Sequence, residues 1–88
     1  MRKASGTPNV VLIVARNVRA LRKAAALSQE ELAHRADVDR TYISQVERKQ
    51  RNVTIVVLAR IAAALEVTPD KLLIPGAISS TNRRQHHR

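Results

Sequence analysis

Apolar and polar residues follow one another along this chain with the period of an α-helix. Between residues 9 and 25, Val14, Val18 and Leu21 fall on one face of a helix, and the cationic residues fall on the others. The β-branched residues 53–58 are ambiguous by propensity alone, but the helical spacing of Leu58, Ile61, Ala62 and Leu65 favours a helix there as well. The pattern therefore predicts an all-α chain whose first helix spans about residues 9–25.

Four short stretches share a pattern that marks the start of a helix. In each stretch an apolar residue precedes a capping residue, and another apolar residue follows four positions after the cap, as in the hydrophobic staple. The four caps are Ser28, Asp39, Thr54 and Thr68. We expect each side-chain oxygen to accept a hydrogen bond from a free backbone N–H of the first turn. The four helices predicted in this way span residues 28–36, 40–49, 55–65 and 69–73.

The second and third predicted helices are joined by only residues 37–39. Such a short link makes the helices cross steeply and leaves the third helix protruding, which is the helix-turn-helix arrangement. The segment SQEELAHRADVDRTYISQVERKQRN resembles the helix-turn-helix family of phage repressors and Xre-type bacterial regulators. Within that family, the chain is most similar to the controller proteins of restriction-modification systems, through the fragments DRTYIS, ER and RN. The resemblance covers about residues 14–73 and implies a compact five-helix repressor-like domain.

The charge of the chain favours a polyanionic partner. Sixteen Lys and Arg residues against seven Asp and Glu residues give a net charge of +9. Cationic side chains bind phosphates and release condensed counterions, so a basic domain with basic arms suits nucleic acid. Residues 1–8 and 75–88 are polar and basic, and we expect them to be disordered arms beside a DNA-binding domain at residues 9–74.

Composition also argues against other classes of protein. The chain has no cysteine, the apolar run at residues 10–14 is too short to cross a bilayer, and residues 1–8 lack a signal-peptide pattern, so we expect a cytoplasmic protein without a membrane partner. His34, His86 and His87 have no further ligands at metal spacing. No nucleophile, base and orienting group occur together. We therefore expect no catalysis, no metal, no cofactor and no small-molecule ligand.

The third predicted helix has an inward and an outward stripe. Ile43 and Val46 share the inward stripe, whereas Thr41 and Gln45 lie on the opposite side, with Arg40 at the leading end. The first turns of a recognition helix enter the major groove most deeply, so the resemblance implies contact with base edges. A polar face that meets only solvent is the alternative. The predicted base contacts are Arg40, Thr41, Tyr42 and Gln45; for Tyr42, packing in a gap of the core or contact with a phosphate is the alternative.

A second set of residues is predicted to contact the DNA backbone. Gln29 opens the second helix, where the backbone amides and the helix dipole favour a phosphate, and the resemblance implies that it also braces the recognition helix. The cations at the end of the third helix also complement its dipole, which is an alternative reason for their presence. The predicted backbone contacts are Gln29, Ser44, Arg48, Lys49, Arg51 and Asn52.

Glu47 is an acid on the inward stripe of a basic helix. A lone buried carboxylate is costly, so it needs a partner. The resemblance implies that the partner is Arg22, near the end of the first helix. We therefore predict an ion pair between Arg22 and Glu47 with a structural role.

The chain departs from the resembling family at four helix ends. Glycine is usual at these positions, where a left-handed backbone is common. The four residues found here are Ala26, Asp37, Lys49 and Glu66. Asp37 tolerates a left-handed backbone more readily than Ala26 or Lys49 does. We therefore expect the loop geometry, rather than the core, to differ from that of the resembling family.

The resemblance implies a sequence-specific transcriptional regulator that binds a palindromic operator in double-stranded DNA as a homodimer. One recognition helix reads only a few base pairs, so two half-sites supply the specificity. The predicted dimer interface on the last two helices consists of Ile55, Val56, Val57, Leu73 and Ile74. An antitoxin or another protein-binding adaptor of the same fold is the alternative. An RNA-binding module is less favoured, because Tyr42 is the only aromatic residue that could stack on a base.

Overall fold

A computed structural model of the chain describes residues 9–76, and every regular element within them is helical. The elements are α1 (Val10–Ala24), α2 (Gln29–Ala36), α3 (Arg40–Glu47), α4 (Ile55–Ala64) and a 3-10 helix (Pro69–Leu72). The all-α prediction is confirmed, although the fifth predicted helix is a 3-10 turn and four α-helices remain. The predicted N-terminal arm and all but the first two residues of the predicted C-terminal tail lie outside the described residues.

The last element is a 3-10 helix because its hydrogen bonds span three residues. The N–H of Lys71 donates to the carbonyl of Thr68 at 3.0 Å, and the N–H of Leu73 donates to that of Asp70 at 2.9 Å. Pro69 occupies the first helical position, where its missing N–H leaves no partner unsatisfied. This short helix packs against both α1 and α4.

Asn17 of α1 holds the 3-10 segment in place from within the core. Its side chain is almost fully buried, and Nδ2 lies 3.0 to 3.2 Å from three backbone oxygens. Those oxygens belong to Lys71, Leu72 and Ile74. One buried amide thus satisfies carbonyl groups at the end of a short helix, which has few hydrogen bonds of its own. The sequence pattern gave no sign of this contact.

The four predicted caps all precede a helix, but only two of them cap it with their side chains. Ser28 accepts from the N–H of Glu31 at 3.0 Å, and Thr54 accepts from the N–H of Val57 at 3.2 Å. Glu31 in turn accepts from the N–H of Ser28 at 2.8 Å, and this backbone bond, with the Ser28 hydroxyl, lowers the pKa of Glu31. The side-chain caps predicted at Asp39 and Thr68 were wrong, since neither side chain makes such a bond.

The end of α3 corrects another prediction. The helix ends at Glu47 rather than at residue 49, because Lys49 adopts a left-handed backbone with φ of 63°. Three further helix ends have a non-glycine residue in the same conformation. Their φ angles are 59° at Ala26, 60° at Asp37 and 62° at Glu66. All four are positions at which the resembling family usually has glycine.

The core consists of small aliphatic contacts between these helices. Val18, Leu32, Ile43, Ile61 and Leu72 have no exposed surface. They come from all five elements, so each element contributes at least one buried side chain to one hydrophobic cluster. The inward faces predicted for α1, α3 and α4 are confirmed by this burial.

Candidate nucleic-acid interface

The link between α2 and α3 is fixed by a side chain from α4. Asp37 takes the left-handed backbone that turns the chain after α2. Arg60 donates through Nη2 to the Asp37 carbonyl at 2.8 Å and through Nε to the Ala36 carbonyl at 3.3 Å. These bonds satisfy carbonyls at the end of α2. The turn that sets the direction of α3 is thereby tied to the body of the domain.

The two predicted stripes of α3 differ clearly in exposure. Ile43 and Val46 are buried, and α3 packs through this side against α1 and α2. Arg40 at the leading end of the helix and Thr41 on the opposite side are exposed, and Gln45, one turn after Thr41, is half-buried. An exposed, polar first turn on a helix whose other side is anchored in the core is the geometry that major-groove readers use.

Tyr42, Gln45 and Arg51 form one cluster at the edge of α3. The Arg51 guanidinium carbon lies 4.3 Å from the centre of the Tyr42 ring, which is a cation–π contact. Arg51 also donates to the Gln45 Oε1 from Nε at 3.0 Å and from Nη2 at 2.7 Å. Tyr42 itself is half-buried and packs partly against the core. Sequence reasoning placed these residues in two separate sets and missed their mutual contact.

Arg22 and Glu47, the predicted ion pair, are brought together inside the domain. The Glu47 side chain is only 1% exposed, and its Oε2 accepts from Arg22 Nε at 2.6 Å. A second bond runs from Arg22 Nη2 to Oε1 at 3.0 Å, so the pair is bidentate. The hydrogen bond to Glu47 raises the pKa of Arg22 above its ordinary value. The remaining Nη1 donates to the Leu27 carbonyl at 2.8 Å, and the guanidinium is well satisfied.

Gln29 completes this buried polar group from the start of α2. Its Nε2 donates to Glu47 Oε1 at 3.0 Å, so the carboxylate joins α1, α2 and α3. Gln29 is half-buried, and its Nε2 has a second hydrogen available for another acceptor. The bond to Glu47 is compatible with the bracing role and leaves a donor for a phosphate.

The other residues predicted to contact the DNA backbone surround the end of α3. Ser44 is half-buried on α3 itself. Arg48, Lys49, Arg51 and Asn52 are exposed in the residues that follow the helix. Three exposed cations thus lie within four residues of one another at the end of α3, where they are accessible to a polyanion.

Five large apolar side chains of the described residues are exposed, and we call this set the apolar surface. It consists of Val10, Ile55, Val56, Leu73 and Ile74, with exposures from 44% at Leu73 to 83% at Ile55. Val57, which was predicted with this set, is instead half-buried and packs against the core. Val10 was missed, although its place in an apolar run was a signal, and it lines one groove together with Ile55 and Leu73.

The described residues contain neither a metal-binding cluster nor a membrane-spanning helix. Residues 9–76 hold no cluster of three His, Asp or Glu side chains suited to a metal ion. His86 and His87, in the predicted C-terminal tail, lie outside this range. None of the helices in the described part of the chain is long and apolar enough to cross a membrane.

Comparison with known proteins identifies the family. A helix-turn-helix family model matches residues 18–72. Control protein C.SmaI of Serratia marcescens is 51% identical over 61 residues, which cover 69% of this chain and 73% of that protein.

Solved structures agree with this match. A hypothetical transcription factor from Neisseria superposes with a TM-score of 0.76 at 38% identity, over 83% of this chain and 84% of that one. The restriction-modification controller protein C.AhdI from Aeromonas hydrophila gives a TM-score of 0.69 at 42% identity, over 70% of this chain and 94% of that one. These relatives are regulators rather than enzymes. The chain belongs to the helix-turn-helix family and is a DNA-binding transcription regulator of the Xre type.

Proposed function

We propose that the protein is a sequence-specific regulator that binds a palindromic operator as a homodimer, with one α3 in the major groove of each half-site. It would act in the cytoplasm, on double-stranded DNA. In this proposal Arg40, Thr41, Tyr42 and Gln45 contact base edges, and the backbone contacts come from the second predicted set: Gln29, Ser44, Arg48, Lys49, Arg51 and Asn52.

The observation that carries the proposal is the contrast between the two sides of α3. Ile43 and Val46 anchor the helix in the core, while Arg40 and Thr41 project from its first turn into solvent. Arginine can donate two parallel hydrogen bonds to a guanine, and the threonine methyl group can pack on a thymine. A polar face of this composition, on a helix anchored in the core, is suited to reading bases. A face that meets only solvent would not need these residue types.

The apolar surface supports the homodimer. Ile55 and Val56 are 83% and 66% exposed. Leu73 and Ile74, which directly follow the 3-10 helix, are 44% and 45% exposed. Several large apolar side chains exposed together are unusual on a monomer and are typical of an interface. A second copy related by a two-fold axis would bury the same surface on both subunits and present two α3 helices in inverted orientation.

Selection of bound sequences from a random duplex library tests this proposal. We expect an inverted repeat with half-sites centred about one helical turn, roughly 10 base pairs, or a multiple of it apart. Affinity for the selected duplex should fall steeply with salt, since phosphate contacts release counterions. An asymmetric single site would contradict the homodimer, and equal binding of selected and scrambled duplexes would contradict specific readout.

A further inference from the structure

The amide of Gln45 has only one of its two polar atoms free. Its Oε1 accepts two hydrogen bonds from the same guanidinium, from Arg51 Nε and Nη2. The orientation of the amide is fixed by chemistry, because a guanidinium carries donors only and must therefore face the oxygen. Among the described residues, no hydrogen bond uses Gln45 Nε2. Gln45 consequently presents two donors and no readily available acceptor.

Arg51 is held in this position from a second direction. The face of its guanidinium lies over the Tyr42 ring at 4.3 Å, while its edge donates to Gln45. A planar cation that is stacked on one residue and hydrogen-bonded to another loses little further freedom when DNA approaches. The contact between Arg51 and Gln45 is thus organised before binding rather than formed on the DNA.

A glutamine with a blocked oxygen reads bases differently from a free glutamine. A free glutamine recognises adenine by donating to N7 and accepting from the N6 amino group. When Oε1 is occupied, the adenine amino group meets no acceptor, and an unpaired donor at an interface is costly. Guanine offers two acceptors, N7 and O6, on the same major-groove edge. The two free hydrogens of Gln45 Nε2 match that edge.

We propose that Arg51 is a positioning residue that makes Gln45 a donor-only reader and so directs it to guanine and away from adenine. This inference rests on the proposed function, since it assumes that α3 lies in the major groove. It adds to that function the identity of the base favoured at one position. Arg51 then contributes to specificity by orienting Gln45. A contact between Arg51 and the DNA backbone alone would not do so.

The test starts by locating the base pair that Gln45 reads. Binding of wild type and Gln45→Ala is compared on the selected operator and on its single-base variants, and the pair whose selectivity collapses in Gln45→Ala is the pair in question. At that pair we expect wild type to favour guanine over adenine by roughly tenfold. In Arg51→Met, which frees Oε1, the guanine-to-adenine ratio should fall to about one or below.

Two matched variants separate this effect from a loss of charge. Arg48→Met removes a cation from the same end of α3, and Arg48 donates no hydrogen bond to Gln45 Oε1, so this variant should weaken binding to all sequences and leave the ratio unchanged. Gln45→Glu can still accept from Arg51 but has no donor, so it should lose the preference for guanine. Tyr42, Gln45 and Arg51 are not fully buried, and thermal unfolding of each variant checks that the fold is intact.

Three results would overturn the proposal. The first is a wild-type preference for adenine at the pair read by Gln45. The second is a ratio that Arg51→Met leaves as in wild type, and the third is a Gln45→Ala variant that changes selectivity at no base pair. Failure of the proposed function looks different, because wild type itself would then fail to distinguish the selected duplex from a scrambled one.

Discussion

Arg22 binds both carboxylate oxygens of Glu47, with Nε 2.6 Å from Oε2 and Nη2 3.0 Å from Oε1. The pair joins α1 to the inward side of α3, and Gln29 adds the start of α2 to the same carboxylate. This buried ion pair therefore anchors the inward side of α3, the helix that begins with Arg40. A bidentate pair fixes the orientation as well as the distance of the two helices.

We predict that Glu47→Gln lowers the free energy of unfolding by about 3 kcal/mol. The substitution leaves the Arg22 guanidinium buried without a countercharge, and that uncompensated charge is the main cost. Urea unfolding at neutral pH measures the change. A double variant, Arg22→Met with Glu47→Leu, serves as the control. It removes both charges and should be more stable than Glu47→Gln; equal or lower stability would show that burial of the lone charge is not the cause.

We predict that Ala26→Gly stabilises the domain by about 0.5 to 1 kcal/mol. Ala26 has φ of 59°, a conformation in which a Cβ atom is strained and glycine is not. The matched control is Ala59→Gly, an exposed alanine within α4, which should destabilise by about 1 kcal/mol because glycine lowers helix propensity. Thermal or urea unfolding of both variants measures the sign. A loss of stability in Ala26→Gly would contradict strain at this position.

We predict that Ile55→Glu converts the proposed homodimer to a folded monomer. Ile55 is 83% exposed, so a charge there costs a monomer little, whereas in the proposed interface it would be buried without a partner. Sedimentation equilibrium measures the dimer dissociation constant. His34→Glu, exposed on α2 outside the apolar surface, is the control and should leave that constant unchanged. A wild-type protein that is monomeric at all concentrations would refute the proposed interface.

Local signals made most of the fold predictable. The helix starts follow from Ser28 and Thr54, whose caps act within three residues, and the buried faces follow from helical spacing. The end of α3 was less predictable, because the left-handed conformation of Lys49 is imposed by the chain around it and not by lysine's own preference.

Contacts between distant parts of the chain were mostly out of reach. Asn17 donates to carbonyls more than 50 positions away, and Arg60 donates to the turn after α2 across 23 or 24 positions. Neither contact leaves a periodic trace in the sequence, since each depends on where the folded backbone places a carbonyl group. The Arg22–Glu47 pair was the exception, because a carboxylate on an inward stripe demanded a partner and the family resemblance indicated which one.

Substitution of Arg40 tests most directly whether the first turn of α3 reads bases. Wild type, Arg40→Ala and Arg48→Ala are each titrated against the selected operator and every single-base variant of one half-site. We expect Arg40→Ala to lose roughly 1 to 3 kcal/mol on the operator and to become indifferent at one base pair, while Arg48→Ala loses affinity evenly across the panel. An even loss in Arg40→Ala would make this residue a phosphate contact and would contradict base reading by α3.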